Sequence, residues 1–505
     1  MPTRYFSVCK NMFQNHTNQS IYSLNHRAKL SYLLLYLPAF LAWGFSFDPL
    51  TSFYFAWLGS WAILAMSMTG QICPLPADRP TSQQLFRPLF LTQVMFALNF
   101  CLGSIFYVWE ITAGSASLYQ SSEELALTAS AQRYYVLGHA AFVHGLLAKM
   151  NYRRSDEWNF SYRFHDCSTF LLVSSVVLLL TSILTSQIPG LNQFVLKTEL
   201  IALVAIVIAL GSAIRKKIVS VILLGGSTYV YMIFQSLLSG WKHQTAFLVG
   251  LLLINLYPSY KRTVFIFGIT ATIAFSTILP AYNNILRDLS WRNSISAQQA
   301  AKTAINQIQA GEIDVRGAAW KFLSERFTTV SLFNRYIDTT PKKHSYYGFS
   351  IVQQATYSVI PRALWPTKPN TEQMVMQRVY ENNAVEEYSN VSAKPKLIVD
   401  AYLSGGLIGV LIGCFLLGVA ASLASRYAEA WFGGYSIGGQ VIYTALFANA
   451  WMTASFEFLF NTVFWSTALM MILFFGLRAI GGLHPSRERL YHGPPSSSQH
   501  PPVYS

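Results

Sequence analysis

Residues 398–424 read IVDAYLSGGLIGVLIGCFLLGVAASLA, a run of 27 residues in which Asp400 is the only charged side chain. A helix of about 20 apolar residues is long enough to cross the roughly 30 Å hydrocarbon core of a bilayer. This stretch therefore predicts a membrane-spanning helix that begins with a carboxylate near one membrane face.

The rest of the chain has the same character. Hydrophobic residues make up 52% of the 505 residues, charged residues make up 11%, and the mean hydropathy is +0.34. A soluble domain carries about 25% charged residues. The sequence therefore predicts an all-α polytopic integral membrane protein with about twelve transmembrane helices. The apolar runs lie near residues 31–47, 50–70, 88–109, 134–149, 169–187, 195–214, 218–239, 244–257, 263–280, 398–424, 437–456 and 458–480.

Lysines and arginines at the ends of these runs predict the orientation, because basic residues beside short loops are retained in the cytoplasm. With the N-terminus inside, the inner segments hold nineteen of these residues, and the short outer segments hold only Arg133, Lys197 and Lys242. Both termini are therefore expected in the cytoplasm. The net charge of +14 is explained by these flanking residues, and without a long Lys/Arg block we expect no nucleic-acid partner.

This orientation divides the chain into five parts. They are a cytoplasmic N-terminal segment (1–30), nine transmembrane helices (31–280), a large external loop (281–397), three further helices (398–480) and a disordered cytoplasmic tail (481–505). The loop holds fourteen of the 36 lysines and arginines. Such a basic loop is compatible with an external position, because long loops translocate regardless of charge.

Motifs for nucleotide and metal chemistry are missing from the sequence. It has no GxxxxGK[ST], no HExxH and no paired CxxC, and no predicted cytoplasmic domain is large enough to bind ATP or a nucleotide sugar. Glu312 and Asp314 form an acidic pair that suits a divalent cation, but exposed carboxylates are more often simply solvated. We therefore expect no metal and no cofactor.

The external loop supplies most of the candidate residues. Arg335 and His344 lie in NRYIDTTPKKHSYYGFS, and Arg362 and Lys368 lie in IPRALWPTKP. A guanidinium group donates two hydrogen bonds in a planar fork that fits phosphate oxygens. The alternative is a basic loop that rests on anionic lipid headgroups. The imidazole of His344 is able to accept a proton from a hydroxyl near neutral pH, although a lone histidine is more often structural.

Three more ionisable residues are expected at the outer membrane face, namely Lys242, Asp400 and Glu457. Ionisable groups near a bilayer are functional candidates by default. For Lys242 the alternatives are an anion site and a lysine that extends to the interface beside Trp241. For the two carboxylates, the alternatives to chemistry are helix capping and pairing with cations of the loop. The sequence leaves these alternatives open.

Three stretches in this order resemble the O-antigen polymerase (Wzy-like) family of oligosaccharide repeat-unit polymerases. They are SGWKHQ (239–244) before a short helix, IPRALWPTKP (360–369) in the loop and DAYLSGGLIGVLIG (400–413) at the start of the next helix. The topological likeness extends over nearly the whole chain, and the motifs cover some forty residues. Lys242 and Asp400 stand where family members commonly have Arg and Glu.

The resemblance implies a GT-C-like glycosyltransferase of the bacterial inner membrane, with the large loop in the periplasm. Its donor would be a polyprenyl-pyrophosphate-linked oligosaccharide, and its partners would include membrane lipid, a flippase and a chain-length regulator of the same pathway. The implied roles are pyrophosphate binding by Lys242, Arg335, Arg362 and Lys368, base catalysis by His344 or Asp400, and sugar binding by Tyr346, Tyr347 and Trp365.

Two other functions stay open at this point. An O-antigen ligase uses the same donor and a similar topology, but it transfers finished glycan to another acceptor. A transporter or flippase of lipid-linked oligosaccharide would line a central cavity with the basic residues, yet it gives no reason for an external loop of more than a hundred residues. The IPRALWPTKP stretch favours the polymerase.

Overall fold

The computed structural model describes residues 31–76, 79–113, 118–150, 160–164, 166–188, 192–240, 242–292, 295–362, 364–387, 394–451 and 455–486. These residues are almost entirely helical. The helices are α1 (Leu37–Gly44), α2 (Pro49–Met68), α3 (Thr81–Gln84), α4 (Pro88–Phe96), α5 (Ser104–Ala113), α6 (Leu118–Lys149), α7 (Cys167–Ser186), α8 (Asn192–Lys216), α9 (Val219–Leu238), α10 (Lys242–Leu256), α11 (Lys261–Arg287), α12 (Ala297–Gln309), α13 (Val315–Lys321), α14 (Val330–Thr339), α15 (Ser350–Val359), α16 (Thr371–Glu381), α17 (Leu397–Trp431), α18 (Thr444–Leu446) and α19 (Phe456–Ala479).

Short irregular helices and one small sheet complete the described elements. There are 3₁₀ turns at Tyr32–Leu35 and Ala448–Trp451, and π-helical segments at Ala97–Leu102, Asp288–Arg292, Phe322–Phe327 and Tyr435–Tyr443. Strands β1 (Phe160–Tyr162) and β2 (Leu483–Pro485) pair antiparallel, with Ser161 opposite His484.

Local sequence signals explain where several helices begin. Asp48 caps α2 by accepting a hydrogen bond from the backbone N–H of Leu50, and Pro49 occupies the first helical position. Asp166 caps α7 in the same way, with its carboxylate accepting from the N–H groups of Ser168 and Thr169. These caps satisfy backbone donors that the helix itself leaves unpaired.

Eight helices among the described residues are long and apolar enough to cross a membrane. They are Pro49–Met68, Pro88–Ala113, Cys167–Ser186, Phe194–Lys216, Val219–Leu238, Lys261–Trp291, Leu397–Trp431 and Phe456–Ala479. On α11, large apolar side chains such as Phe265, Ile266 and Ile273 are more than half exposed, as expected of a surface that contacts lipid. The protein is therefore a multi-pass α-helical membrane protein, and twelve spans remain a prediction.

Some predicted runs differ from the observed helices. The run at 134–149 is the second half of the 32-residue α6, whose first half lies in what we expected to be a loop. The run at 437–456 is not one helix in its described part, because a π-helical segment, α18 and a 3₁₀ turn divide it. The span predicted at 263–280 continues to Arg287 through Pro280, so that α11 extends beyond the apolar run.

The centre of the fold is the crossing of α6 and α17, where two glycines allow the backbones to touch. A Cβ atom at Gly145 would lie 2.0 Å from the carbonyl oxygen of Phe415, and one at Gly418 would lie 2.0 Å from that of Phe142. Small residues at such crossings let membrane helices pack closely. Nearer the start of α17, a Cβ atom at Gly138 of α6 would lie 2.5 Å from Ile398 Cδ1, so α6 also packs closely against the turn that carries Asp400.

Residues 288–396, between α11 and α17, are called the connecting segment below, and the membrane face that they cover is called the loop face. The segment carries α12 to α16 and is anchored to several long helices. Trp320 Nε1 donates to a carboxylate oxygen of Glu110 on α5. On α19, Trp465 Nε1 donates to the carbonyl oxygen of Val359 at 3.1 Å, and Asn461 donates to that of Ser358 at 2.7 Å. The segment is thus packed onto the membrane domain.

Candidate functional site

A buried arginine joins the connecting segment to two long helices. Helix α16 turns Arg378 inward beside Val375 and Val379, which are also buried. Arg378 Nη2 lies 2.7 Å from Glu457 Oε1, at the start of α19, and 3.5 Å from Asp400 Oδ1, near the start of α17. Two carboxylates that the sequence places far apart therefore share one cation. Pairing with a cation of the loop was one of the alternatives that the sequence left open for Asp400 and Glu457, and the structure shows this pairing.

The surroundings keep the guanidinium of Arg378 charged. Burial alone lowers the pKa of Arg378, but the attraction of Asp400 and Glu457 outweighs it, and the net shift is upward. Its Nη1 also donates to the side-chain oxygen of Gln354 on α15. The cation thus contacts three elements besides its own helix.

Asp400 has both carboxylate oxygens occupied and no exposed surface. Oδ1 lies near Arg378, and Oδ2 accepts a 2.8 Å hydrogen bond from the backbone N–H of Phe456. A general base has to reach the hydroxyl that it deprotonates, directly or through one water. In this conformation Asp400 anchors the starts of α17 and α19, and its role as a base remains a prediction.

The predicted residues His344, Tyr346 and Tyr347 lie in one turn that crosses the start of α17. The backbone N–H of Tyr347 donates to the carbonyl oxygen of Leu403 at 2.9 Å. The Tyr347 hydroxyl donates to Glu381 Oε2 at 2.6 Å; burial and this hydrogen bond both raise its pKa, so it stays protonated. His344 and Tyr346 are exposed. His344 is therefore the candidate base that a substrate hydroxyl is able to reach.

Three tyrosines form a cluster where this turn meets α6 and α17; Tyr134, Tyr346 and Tyr402 are called the tyrosine cluster below. The ring centroids of Tyr134 and Tyr402 lie 4.8 Å apart, and those of Tyr346 and Tyr402 lie 5.8 Å apart. The Tyr402 hydroxyl donates to the carbonyl oxygen of Thr340 at 2.7 Å, which holds the turn against α17.

Arg133 precedes the first tyrosine of this cluster and is half-buried. Its Nη1 donates to Ser52 Oγ at 2.9 Å, and its buried Nε has no hydrogen-bond partner. Among the residues that the structure describes, no carboxylate forms an ion pair with it. A partly buried cation without a counter-ion is costly, so it is usually retained for an anion that is not part of the chain.

The other predicted cations belong to other elements of the chain. Arg335 is exposed on α14, and Lys242 begins α10. Arg362 and Lys368 belong to a turn after α15, and both donate to carbonyl oxygens of that turn. Arg362 Nη1 donates to the carbonyl oxygen of Lys368 at 3.2 Å. Lys368 Nζ donates to the carbonyl oxygen of Ile360 at 2.8 Å. The ring of Trp365 packs edge-on against Tyr357. Arg362 and Lys368 thus lie together in one turn, and a common site for the four cations stays a prediction.

A family model matches residues 37–485, which is most of the chain. Its description is a domain of unknown function, DUF8712. The chain belongs to the DUF8712 family. No curated protein and no solved structure matches it. The DUF8712 match spans the long helices and the connecting segment together, so it covers every residue of the candidate site.

Sequence reasoning missed two residues of this DUF8712 protein. Arg378 lies in the polar stretch EQMVMQRVYE, and the only sign of it in the sequence is its spacing of three residues from Val375, next to the apolar face that Val375 and Val379 share. Arg133 was visible as one of three exceptions to the charge rule, but it was not assigned a role. Arg378 stands out because two carboxylates contact it, and Arg133 stands out because no described carboxylate pairs with it. Both facts become visible only in the folded structure.

Helix α17 is kinked at Gly405 and Gly406, where the backbone leaves the helical conformation, and this kink offers a direct test of the arrangement. Gly406 has a φ of +58°, and a Cβ atom there would lie 2.8 Å from the hydroxyl oxygen of Tyr346. We expect Gly406→Ala to destabilise the protein by about 1–3 kcal/mol, because an L residue is strained at this φ. Thermal melts in detergent would measure the change. Gly268→Ala on α11 is the matched control, since nothing lies within 4 Å of a Cβ there; an equal loss in both variants would contradict the expectation.

Proposed function

We propose that this protein is a glycosyltransferase that polymerises polyprenyl-pyrophosphate-linked oligosaccharide repeat units at the periplasmic face of the bacterial inner membrane. The observation that carries the proposal is Arg133, a half-buried cation without a carboxylate partner beside the tyrosine cluster. The exposed basic turn that contains His344 supports it, because that turn contacts the same cluster through Tyr346 and Tyr402.

The reaction requires three things of the protein. An acceptor hydroxyl attacks the anomeric carbon of the donor, the bond from that carbon to the pyrophosphate oxygen breaks, and the hydroxyl proton passes to a base. The pyrophosphate is already a good leaving group, so the protein has to stabilise its developing charge and orient the acceptor. Neither task requires ATP or a nucleotide sugar.

The residues divide between these tasks in a definite way. Arg133 stabilises the charge of the leaving pyrophosphate, because a guanidinium in a partly desolvated niche interacts with phosphate oxygens more strongly than one in water. His344 accepts the hydroxyl proton, and it precedes Tyr346 of the tyrosine cluster by two residues. Lys242, Arg335, Arg362 and Lys368 serve as further cations on the loop face, and Tyr347 and Trp365 as sugar contacts, as the resemblance to the Wzy-like family implies.

The proposal also includes a location and partners for the protein. The chain lies in the inner membrane with both termini in the cytoplasm, and the connecting segment is periplasmic. A flippase delivers the lipid-linked repeat unit to this face, and a chain-length regulator acts on the same product. Membrane lipid surrounds the exposed apolar faces of helices such as α11.

A deletion strain tests this function directly. Surface glycan from the wild type, the deletion strain and the restored strain is compared as a ladder on a gel. We expect the deletion to remove chains longer than one repeat unit and to leave single repeats on their final acceptor. Loss of single repeats with accumulation of long lipid-linked chains would identify a ligase instead, and an unchanged ladder would refute the proposal.

A further inference from the structure

His344, the proposed base, is placed by the backbone around it rather than by contacts of its own side chain. It lies between α14 and α15 with its side chain exposed, and among the described residues none hydrogen-bonds to its imidazole. A general base has to lie within about 2.6–3.2 Å of the group that it deprotonates. The position of the imidazole therefore depends on how residues 340–347, called the histidine turn below, are held by the rest of the protein.

A buried amide contacts both ends of the histidine turn. Asn382 directly follows α16 and has no exposed surface. Its Oδ1 accepts a 2.8 Å hydrogen bond from the hydroxyl of Thr340, and its Nδ2 donates to the hydroxyl of Tyr347 at 3.2 Å. Thr340 is the first residue of the turn and Tyr347 is the last, so one side chain joins the two ends.

The amide of Asn382 has every hydrogen-bonding position in use. Its Oδ1 also lies 2.7 Å from the hydroxyl oxygen of Thr339, and its Nδ2 also donates to the carbonyl oxygen of Arg378 at 2.8 Å. A carboxamide offers two N–H donors and an oxygen that accepts two hydrogen bonds, so all four positions are engaged. Such an amide is held in one orientation, because a rotation would leave buried polar atoms unpaired.

These contacts extend to His344 through the backbone. The carbonyl oxygen of Thr339 accepts hydrogen bonds from the N–H groups of Lys343 and His344, at 2.6 and 3.3 Å. Thr339 is also one of the residues that contact Asn382 through the side chain. His344 is therefore one backbone hydrogen bond away from a residue that Asn382 holds.

The hydroxyl of Tyr347 connects the other end of the turn to α16. It donates to Glu381 Oε2 at 2.6 Å and accepts from Asn382 Nδ2, and both partners lie at the end of that helix. One turn earlier on α16, Arg378 contacts the carboxylates at the starts of α17 and α19. A single short helix thus joins the histidine turn to the buried ion pairs.

Helix capping alone does not explain the contacts of Asn382. Helix α16 ends where the next residue, Asn383, takes a φ of +51°, a conformation that asparagine tolerates better than most residues. Of the contacts of the Asn382 amide, only the one with the carbonyl oxygen of Arg378 belongs to α16. The others hold the end of α14 and the two ends of the histidine turn.

We infer that Asn382 is a positioning residue, whose buried amide holds the histidine turn, and with it the imidazole of His344, where the acceptor hydroxyl is deprotonated. The inference rests on the proposed function and adds to it a residue that does not touch the substrate. It also gives the hydroxyl of Tyr347 a role in holding the turn, besides the predicted sugar contact.

Kinetics and hydrogen exchange of the full-length protein in lipid nanodiscs test the inference together. Chain growth is measured with isolated lipid-linked repeat units, and amide exchange is measured by mass spectrometry of peptides that contain residues 342–348. We expect Asn382→Ala to lower kcat by about tenfold to a hundredfold and to leave KM within about twofold, because the base is misplaced while the donor site is unchanged. Exchange in the turn should become about tenfold faster, since the turn loses two buried hydrogen bonds.

Two controls separate positioning from stability. Asn383→Ala changes the adjacent, exposed asparagine and strains its positive φ, so it should lower the melting temperature without changing kcat or exchange in the turn. Thr340→Val removes the hydroxyl that Asn382 binds and keeps the shape of the side chain. It should lower kcat, and Thr340→Ser should recover most of the rate. The two Thr340 variants also decide the question if Asn382→Ala does not fold.

The outcomes separate this inference from the proposed function. If Asn382→Ala and Thr340→Val keep kcat within about twofold of wild type, the inference is overturned while the glycan ladder of the deletion strain still stands. Equal losses of kcat in Asn382→Ala and Asn383→Ala would overturn it as well, because the effect would then follow stability. An unchanged ladder on deletion would remove the proposed function, and the exchange rates would then decide alone whether Asn382 holds the histidine turn.

Discussion

Replacing Arg378 with alanine is expected to lower the free energy of unfolding by about 3–5 kcal/mol, the typical cost of removing one partner of a buried ion pair. The loss is large because Asp400 and Glu457 would be left as two buried carboxylates without a cation, and Glu457 Oε2 already has no hydrogen-bond partner. The two helices and the connecting segment would lose their shared contact at the same time. Equilibrium denaturation in mixed micelles would measure the change.

A matched control makes this expectation specific to the buried position. Arg316→Ala removes an exposed arginine from α13 of the same connecting segment, and we expect it to change stability by less than about 0.5 kcal/mol. Arg378→Lys keeps the charge but not the planar fork, so an intermediate loss is expected. Equal stability of Arg378→Ala and Arg316→Ala would show that the network contributes nothing.

Arg133→Gln is expected to reduce glycan polymerisation by about one to two orders of magnitude without destabilising the protein. Hydrogen bonds to charged groups contribute about 1.5–3 kcal/mol, and each 1.4 kcal/mol is a factor of ten in rate. The fold should tolerate the change, because among the described residues the guanidinium donates only to the hydroxyl of Ser52, and no counter-ion there would be left unpaired. Initial rates of chain growth from lipid-linked repeat units would measure the effect.

The combination of activity and stability decides the role of Arg133. An arginine kept for an anionic substrate should lose activity and retain its melting temperature when neutralised, and Arg133→Lys should recover part of the rate. Arg426→Gln, an exposed arginine on α17, should change neither quantity. A parallel fall in activity and melting temperature for Arg133→Gln would mean that this residue is structural and would remove the main support for the proposed function.

The apolar spans could be predicted from the sequence, because a run of apolar residues that is long enough to cross a bilayer is visible in the sequence without knowledge of the fold. The predicted run at 398–424 lies within α17, and the predicted run at 458–480 lies within α19 except for its last residue, Ile480. The ends of helices were predicted less well. Helix α6 extends toward its N-terminus, and α11 toward its C-terminus, with polar residues. These extensions pack against the connecting segment rather than against lipid. A hydropathy pattern detects only contact with lipid, so it does not predict them.

The candidate site was predictable only in part, because its key contacts join distant segments. Asp400 and Glu457 were recognised as unusual carboxylates from their place at the ends of apolar runs. Their common partner Arg378 lies in an ordinary polar stretch, and only the fold shows that it turns inward. Arg133 is distinguished by the absence of a counter-ion among the described residues. That absence depends on which side chains lie near it in the fold, so the sequence does not show it.

The anchoring of the connecting segment limits how this protein can be recombined with its relatives. A chimaera that exchanges residues 288–396 alone would separate Arg378 from the carboxylates that it contacts, and would set a foreign α15 against Trp465 and Asn461. Exchanges that also carry the starts of α17 and α19 keep these contacts within one parent. The unit that has to be exchanged as a whole is therefore discontinuous in the chain, and suitable junctions lie inside the long helices, beyond Gly406 and beyond Trp465.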